Sequence, residues 1–114
     1  MSKSIVIVFM SNGMGTSSAQ ELRETLAQKF LALIADAGCL PKAICFYTDG
    51  VRLVCAGSPL LAELRALEAH GVPLVICKTC LDYFGLADAV RVGIVGGMTD
   101  IITALWQADT VINL

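Results

Sequence analysis

Val72-Pro73-Leu74-Val75-Ile76-Cys77-Lys78-Thr79-Cys80-Leu81-Asp82-Tyr83-Phe84-Gly85 is the stretch that decides the fold. A short unbroken apolar run suits a strand covered on both faces, and the segment after it can turn helical until a glycine stops it. A strand delivered straight into a helix is the signature of a parallel α/β unit. It places Cys77 and Cys80 at the carboxyl end of the strand, beside a helix start whose backbone amides favour thiolate over thiol. Free cysteine is also among the most buried residue types, so Cys39, Cys45 and Cys55 are read as structural; only the pair at 77 and 80 stands out by position.

Working outward, residues 5–9 (IVIVF) form another continuous apolar run and open the sheet. Residues 11–16 read as a loop, with Ser17 or Ser18 capping a helix and Gln20 or Glu21 completing a capping box. Ala19, Leu22, Leu26, Phe30, Leu33 and Ala37 recur at helical spacing and predict the inward stripe of that helix, which Gly38 ends. Residues 43–47 predict a second strand, closed by the turn signal Asp49-Gly50. Residues 51–56 are ambiguous between helical turn and strand. Ser58-Pro59 starts a helix with Leu60, Leu64 and Leu67 facing inward until Gly71. A fourth strand is expected over 89–94, a loop over 96–98, a helix capped by Thr99 through Ala108, and a last strand over 111–114. The alternation predicts one domain over residues 1–114: an α/β fold, three-layer α/β/α, with a mostly parallel five-stranded sheet.

In such sheets reactive groups gather outside the carboxyl ends of the strands. Cys77 and Cys80 are the candidate catalytic residues, with Lys78 and Thr79 supporting the thiolate. Asn12, Gly13, Gly15, Asp49, Gly97 and Met98 are the candidate lining of a pocket around them. Cys77, ahead of the helix start, is expected to be the more reactive thiol. His70, the one histidine, falls at a helix end and is read as solvated or structural.

A Cys-x-x-Cys pair permits three chemistries. A dithiol reductase uses one thiolate to attack a disulfide and the other to resolve it. A metal site needs two further ligands, and the remaining cysteines show no short paired spacing, so no metal is expected. A sulfur carrier holds sulfane sulfur as a persulfide. The motif alone leaves the first and third open.

Composition narrows the class. The 114 residues are 56% hydrophobic and 16% charged, with mean hydropathy +0.74. That is more apolar than one small core needs, and predicts burial between subunits of a homo-oligomer. No run approaches the ~20 apolar residues of a spanning helix, and the first run is too short for a signal peptide, so a cytoplasmic protein is expected. A net charge of −2 with scattered basic residues gives no footprint for nucleic acid. Five cysteines without a secretory signal are expected to stay reduced.

The segment from Gly71 to Leu86 resembles the cysteine segment of the DsrE/DsrF-like family, most nearly that of the YedF-like selenium-metabolism proteins in the Cys-x-Thr-Cys-Leu-x-Tyr-Phe-Gly run. Residues 10–15, 49–59 and 92–99 resemble further family segments in the same order. The resemblance implies a DsrE-like three-layer fold without a cofactor, in a small cytoplasmic oligomer that relays sulfur as persulfide between donor and acceptor proteins, TusA-like ones among them. It implies that the accepting cysteine, at the end of the third strand and ahead of a glycine, is Cys77 with Gly85, while Cys80 matches the YedF-like branch. YedF-like proteins carry a TusA-like domain ahead of this unit and the sequence here opens on the DsrE-like strand, so a general sulfurtransferase role is expected before a selenium-specific one. The alternatives are a dithiol oxidoreductase and a non-catalytic subunit of a sulfur- or selenium-handling complex.

Overall fold

The computed structural model describes residues 3–114. Five parallel strands form one sheet in the order β4-β3-β2-β1-β5: β1 Ile5–Phe9, β2 Ala43–Phe46, β3 Leu74–Cys77, β4 Ile94–Gly96 and β5 Thr110–Asn113. The helices are α1 Gln20–Asp36, α2 Leu61–Ala69, α3 Lys78–Phe84 and α4 Met98–Gln107, with 3-10 turns at Thr48–Val54 and Ala87–Ala89.

β1 to β4 are laid down side by side in one direction, so right-handed crossovers put α1 and α2 on one face. The connection from β4 to β5 runs back across the sheet and puts α4 on the other. Strand parity agrees. Ile5, Ile7 and Ile112 line a cavity with Phe30 and Ile34 of α1, whereas Val6, Ala43 and Val75 line one with Thr103 and Ala104 of α4. The expected three-layer α/β/α architecture is the one observed.

The core lies between the sheet and the α1–α2 layer. Phe9 and Phe46 stack in register, their rings 5.6 Å apart. Leu60, Leu64 and Leu67 are fully buried, as their spacing predicted, and each such side chain stabilises the fold by about 2 kcal/mol. Gly50 lets the 3-10 turn press against β1: a Cβ there would stand 2.0 Å from the Phe9 carbonyl oxygen.

Several elements differ from expectation. The inward face of α1 is Ala27 and Leu31 with Phe30 and Ile34 beside them, so Phe30 of the expected stripe packs on the core while Leu22, Leu26 and Leu33 are exposed. Apolar residues occur on both sides of this helix, so periodicity could not choose between them. Ala19 is its N-cap, with the Ser17 hydroxyl accepting the Ala19 N–H at 3.1 Å. α2 begins after Ser58-Pro59, whose serine oxygen accepts the Leu60 N–H.

The fourth strand starts where the expected one ended. Val90 bridges antiparallel to Cys55, and Arg91 N–H donates to the Val54 carbonyl, so 89–91 pairs outside the sheet. Gly93, at φ 89°, then turns the chain into β4. α4 starts at Met98 instead of after Thr99, because the Asp100 carboxylate accepts the Gly97 N–H at 3.0 Å and fixes the cap at Gly97. β5 lies one residue earlier than expected.

Candidate functional site

β3 ends at Cys77, which is also the N-cap of α3, and Cys80 falls in the first turn of that helix. α3 closes on Gly85 at φ 68°, with Leu86 N–H donating to Leu81 O and Gly85 N–H to Asp82 O. That double bond pattern is the Schellman motif, which needs a residue tolerant of the left-handed conformation. The short helix is thereby held at its far end, and its spacing brings the two sulfurs together. Cys80 Sγ donates to Cys77 Sγ at 3.1 Å.

The second anchor of the pair comes from β2. Thr48 follows this strand and has φ 49°, a left-handed conformation that a β-branched residue rarely adopts. The strain is held by two contacts: Thr48 Oγ1 donates to the Met10 carbonyl, and Thr48 N–H donates to Cys80 Sγ at 3.1 Å. Thr48, Asp49, Thr79, Cys80, Tyr83 and Phe84 line a predominantly apolar cavity of about 410 Å³. Arg52 braces its rim, with Nε 3.4 Å from Asp49 and its guanidinium 4.4 Å from the Phe84 ring centroid.

The two thiols differ in access. Cys77 is 1% exposed, while Cys80 is half-buried and faces the cavity. Burial pushes the Cys80 thiol up. Its hydrogen bond to Cys77 and the charges of Cys77 and Asp49 act in the same direction, and the Thr48 N–H opposes them. Burial likewise raises Cys45, to about 11, and Cys55, where Arg52 and Arg91 offset part of the effect. Cys45 and Cys55 are core residues, as expected, and Cys39 is exposed.

Of the expected supporting residues, the structure brings Asp49 and Thr79 to the cavity. The Lys78 ammonium lies 2.6 Å from Asp82 on the exposed side of α3, engaged by a carboxylate and not by a thiolate. Cys77 Sγ makes no capping bond to the α3 amides, contrary to the reading that made them its thiolate support. Among the described residues, Asn12, Gly13, Gly15, Gly97 and Met98 do not line the cavity. Asn12 borders a separate cleft with Glu24 and Ser58. Gly13 abuts Arg23, where a Cβ would stand 2.7 Å from the arginine Cβ. This loop is therefore tied to α1 by packing. Gly15 is exposed, and Gly97 and Met98 form the start of α4.

Sequence reading missed Thr48 and Arg52. Threonine is a poor choice for a left-handed position, and an arginine-ring contact between residues so far apart in the chain leaves no local pattern. Among the described residues no three His, Cys, Asp or Glu side chains gather as a metal-holding group.

Comparison with known proteins places this geometry. No curated protein matches the chain. The YchN protein from E. coli is a structural neighbour at TM-score 0.73 and 21% identity, over 99% of this chain and 100% of that one. The protein MTH1491 from Methanobacterium thermoautotrophicum aligns at TM-score 0.70 and 16% identity, over 99% and 100%. BT1422 from Bacteroides thetaiotaomicron follows at 0.64 and 14%, over 97% and 95%. At these identities the three establish the fold alone. The family model for DsrE/DsrF-like proteins matches residues 3–114, and with strand order and structural neighbours in agreement, the chain belongs to the DsrE/DsrF-like family.

Proposed function

We propose that this protein is a sulfur carrier or sulfurtransferase of the DsrE-like type, in which Cys77 accepts sulfane sulfur as a persulfide and passes it to a partner. The observation that carries this reading is the 3.1 Å separation of the Cys80 and Cys77 sulfurs beside an apolar cavity. The Cys77 thiolate attacks the outer sulfur of a donor persulfide; the outer sulfur and its proton stay on Cys77, and the donor leaves as thiolate. An acceptor thiolate then repeats the exchange in the opposite sense. Cys80 stands between Cys77 and the cavity, so it rotates aside for sulfur to enter and then swings back to its Thr48 N–H contact. The predominantly apolar lining limits polar side reactions of a persulfide held beside it.

The donors and acceptors that fit are small thiol-bearing proteins, TusA-like carriers among them, in the cytoplasm. Exposed apolar surface supports a homo-oligomer. The Cys-x-Thr-Cys-Leu-x-Tyr-Phe-Gly run supports a YedF-like affiliation, and with it a selenium-linked variant of the same chemistry.

The decisive experiment is mass spectrometry of the reduced protein after incubation with glutathione persulfide. A gain of one sulfur mapped to Cys77 in Cys80→Ser, and no gain in Cys77→Ser, is the expected result. Loading that survives Cys77→Ser would assign the acceptor role to Cys80. The same 3.1 Å separation favours one second reading, a dithiol oxidoreductase. That reading predicts reversible oxidation of the pair at a defined potential with no sulfur gained by either variant.

A further inference from the structure

We infer that the loaded site has an outlet besides the partner: the second cysteine discharges the persulfide as hydrosulfide and leaves a Cys77–Cys80 disulfide. The inference rests on the persulfide reading above and concerns where the sulfur goes when no acceptor arrives.

A persulfide can be attacked at either sulfur. Attack on the outer atom moves the sulfane sulfur; attack on the inner atom expels it. Position decides between these outcomes, because exchange requires the nucleophile to approach a particular sulfur. Cys80 Sγ lies 3.1 Å from Cys77 Sγ, which becomes the inner sulfur after loading. A disulfide has its sulfurs ~2.05 Å apart, so bonding requires about 1 Å of approach between two side chains already in contact. The outer sulfur is one bond further from Cys77.

The surroundings hold the attacking atom in place. Thr48 N–H points at Cys80 Sγ from 3.1 Å, and its direction is set by a strained backbone that is tied to the Met10 carbonyl. The same N–H stabilises charge on Cys80 once its proton has gone. In the step itself the Cys80 thiolate forms a bond to Cys77 Sγ while the bond from Cys77 Sγ to the outer sulfur breaks. The electron pair of the broken bond leaves with the protonated outer sulfur as HS⁻. The sulfane sulfur is reduced to sulfide and the two cysteine sulfurs are oxidised to the disulfide. The sum, from glutathione persulfide and the dithiol protein, is glutathione, hydrogen sulfide and the disulfide protein. A dithiol reductant, such as dithiothreitol, restores the starting state.

The product does not depend on which cysteine carries the sulfur. A load on Cys80 faces the cavity, with Cys77 on the buried side 3.1 Å from the inner sulfur, and displacement again expels hydrosulfide into the open space.

The test is a single turnover without reductant and without oxygen. Prereduced protein receives one equivalent of glutathione persulfide, hydrosulfide is trapped with monobromobimane, and the residue 77–80 segment is mapped by mass spectrometry. Cys77→Ser/Cys80→Ser sets the background. Wild type is expected to release close to one hydrosulfide per chain above background and to lose two hydrogens at the cysteine pair. Cys80→Ser is expected to release at least tenfold less and to keep one extra sulfur on Cys77. If wild type retains the sulfur as stably as Cys80→Ser, the outlet does not exist while the carrier reading stands. If neither protein gains sulfur and no hydrosulfide appears, the carrier reading itself fails and takes this inference with it.

Discussion

Thr48 shows how much of this site depends on single backbone angles. A β-branched residue held at positive φ costs about 1–3 kcal/mol, and here its amide supplies the bond to Cys80 Sγ. Nothing local in the sequence announces it, whereas the cysteine pair was legible because packing alone gives no reason for two closely spaced thiols directly after an apolar run. Two residue-level predictions follow the same logic of contact. Gly50→Ala is expected to lower unfolding stability by about 3 kcal/mol or more, since its Cβ would collide with the Phe9 carbonyl; a urea midpoint measures it. Cys45, fully buried, has its folded pKa raised to about 11, so below its unfolded value its contribution to stability is whole. As pH rises from about 9 to about 11 the unfolded chain ionises and the folded one does not, and stability falls by up to about 3 kcal/mol. Unfolding free energies across that window are expected to decline in wild type and to be flatter in Cys45→Ala. An equal slope in both would remove this assignment.

Elements were legible where burial is two-sided and illegible where pairing partners are remote. β1, β2, β3 and the buried leucines of α2 followed from continuous apolar runs and helical spacing. α1 defeated the same method because its apolar residues lie on both sides, and β4 did so because residues 89–91 answer to the segment at 54–56 instead of to the sheet. At this scale Gly85 matters most for the site, since it closes the helix that carries Cys80. Gly85→Ala is expected to cost about 1 kcal/mol from the left-handed conformation alone, with open space around the added Cβ leaving no clash. A shift of the denaturation midpoint with unchanged circular dichroism would be the expected signature; no shift would mean that another cap holds α3.

The whole molecule leaves apolar surface uncovered in a continuous pattern. Met98, Ile102 and Trp106 follow one another along exposed turns of α4, Trp106 being 85% exposed, and Ile94 and Val95 expose the edge strand β4. Composition predicts subunit contacts without saying which surface would supply them, and this stripe is the candidate. Self-association at micromolar concentration is expected by light scattering, with Trp106 fluorescence shifting to shorter wavelength on concentration. Ile102→Asp with Trp106→Glu is expected to give monomer, and a wild type that is monomeric at the same concentration would overturn the claim. The return path beneath that stripe also fixes the size of the architecture. From β4 at one edge to β5 at the other, the chain crosses four inter-strand gaps, about 19 Å at ~4.8 Å each. The ten residues of α4 measure about 15 Å, and the short flanking links complete the span. Because β4 and β5 are parallel, the same connection must also run back along a strand's length, so one more strand would add about 4.8 Å to what α4 and its links together have to cover.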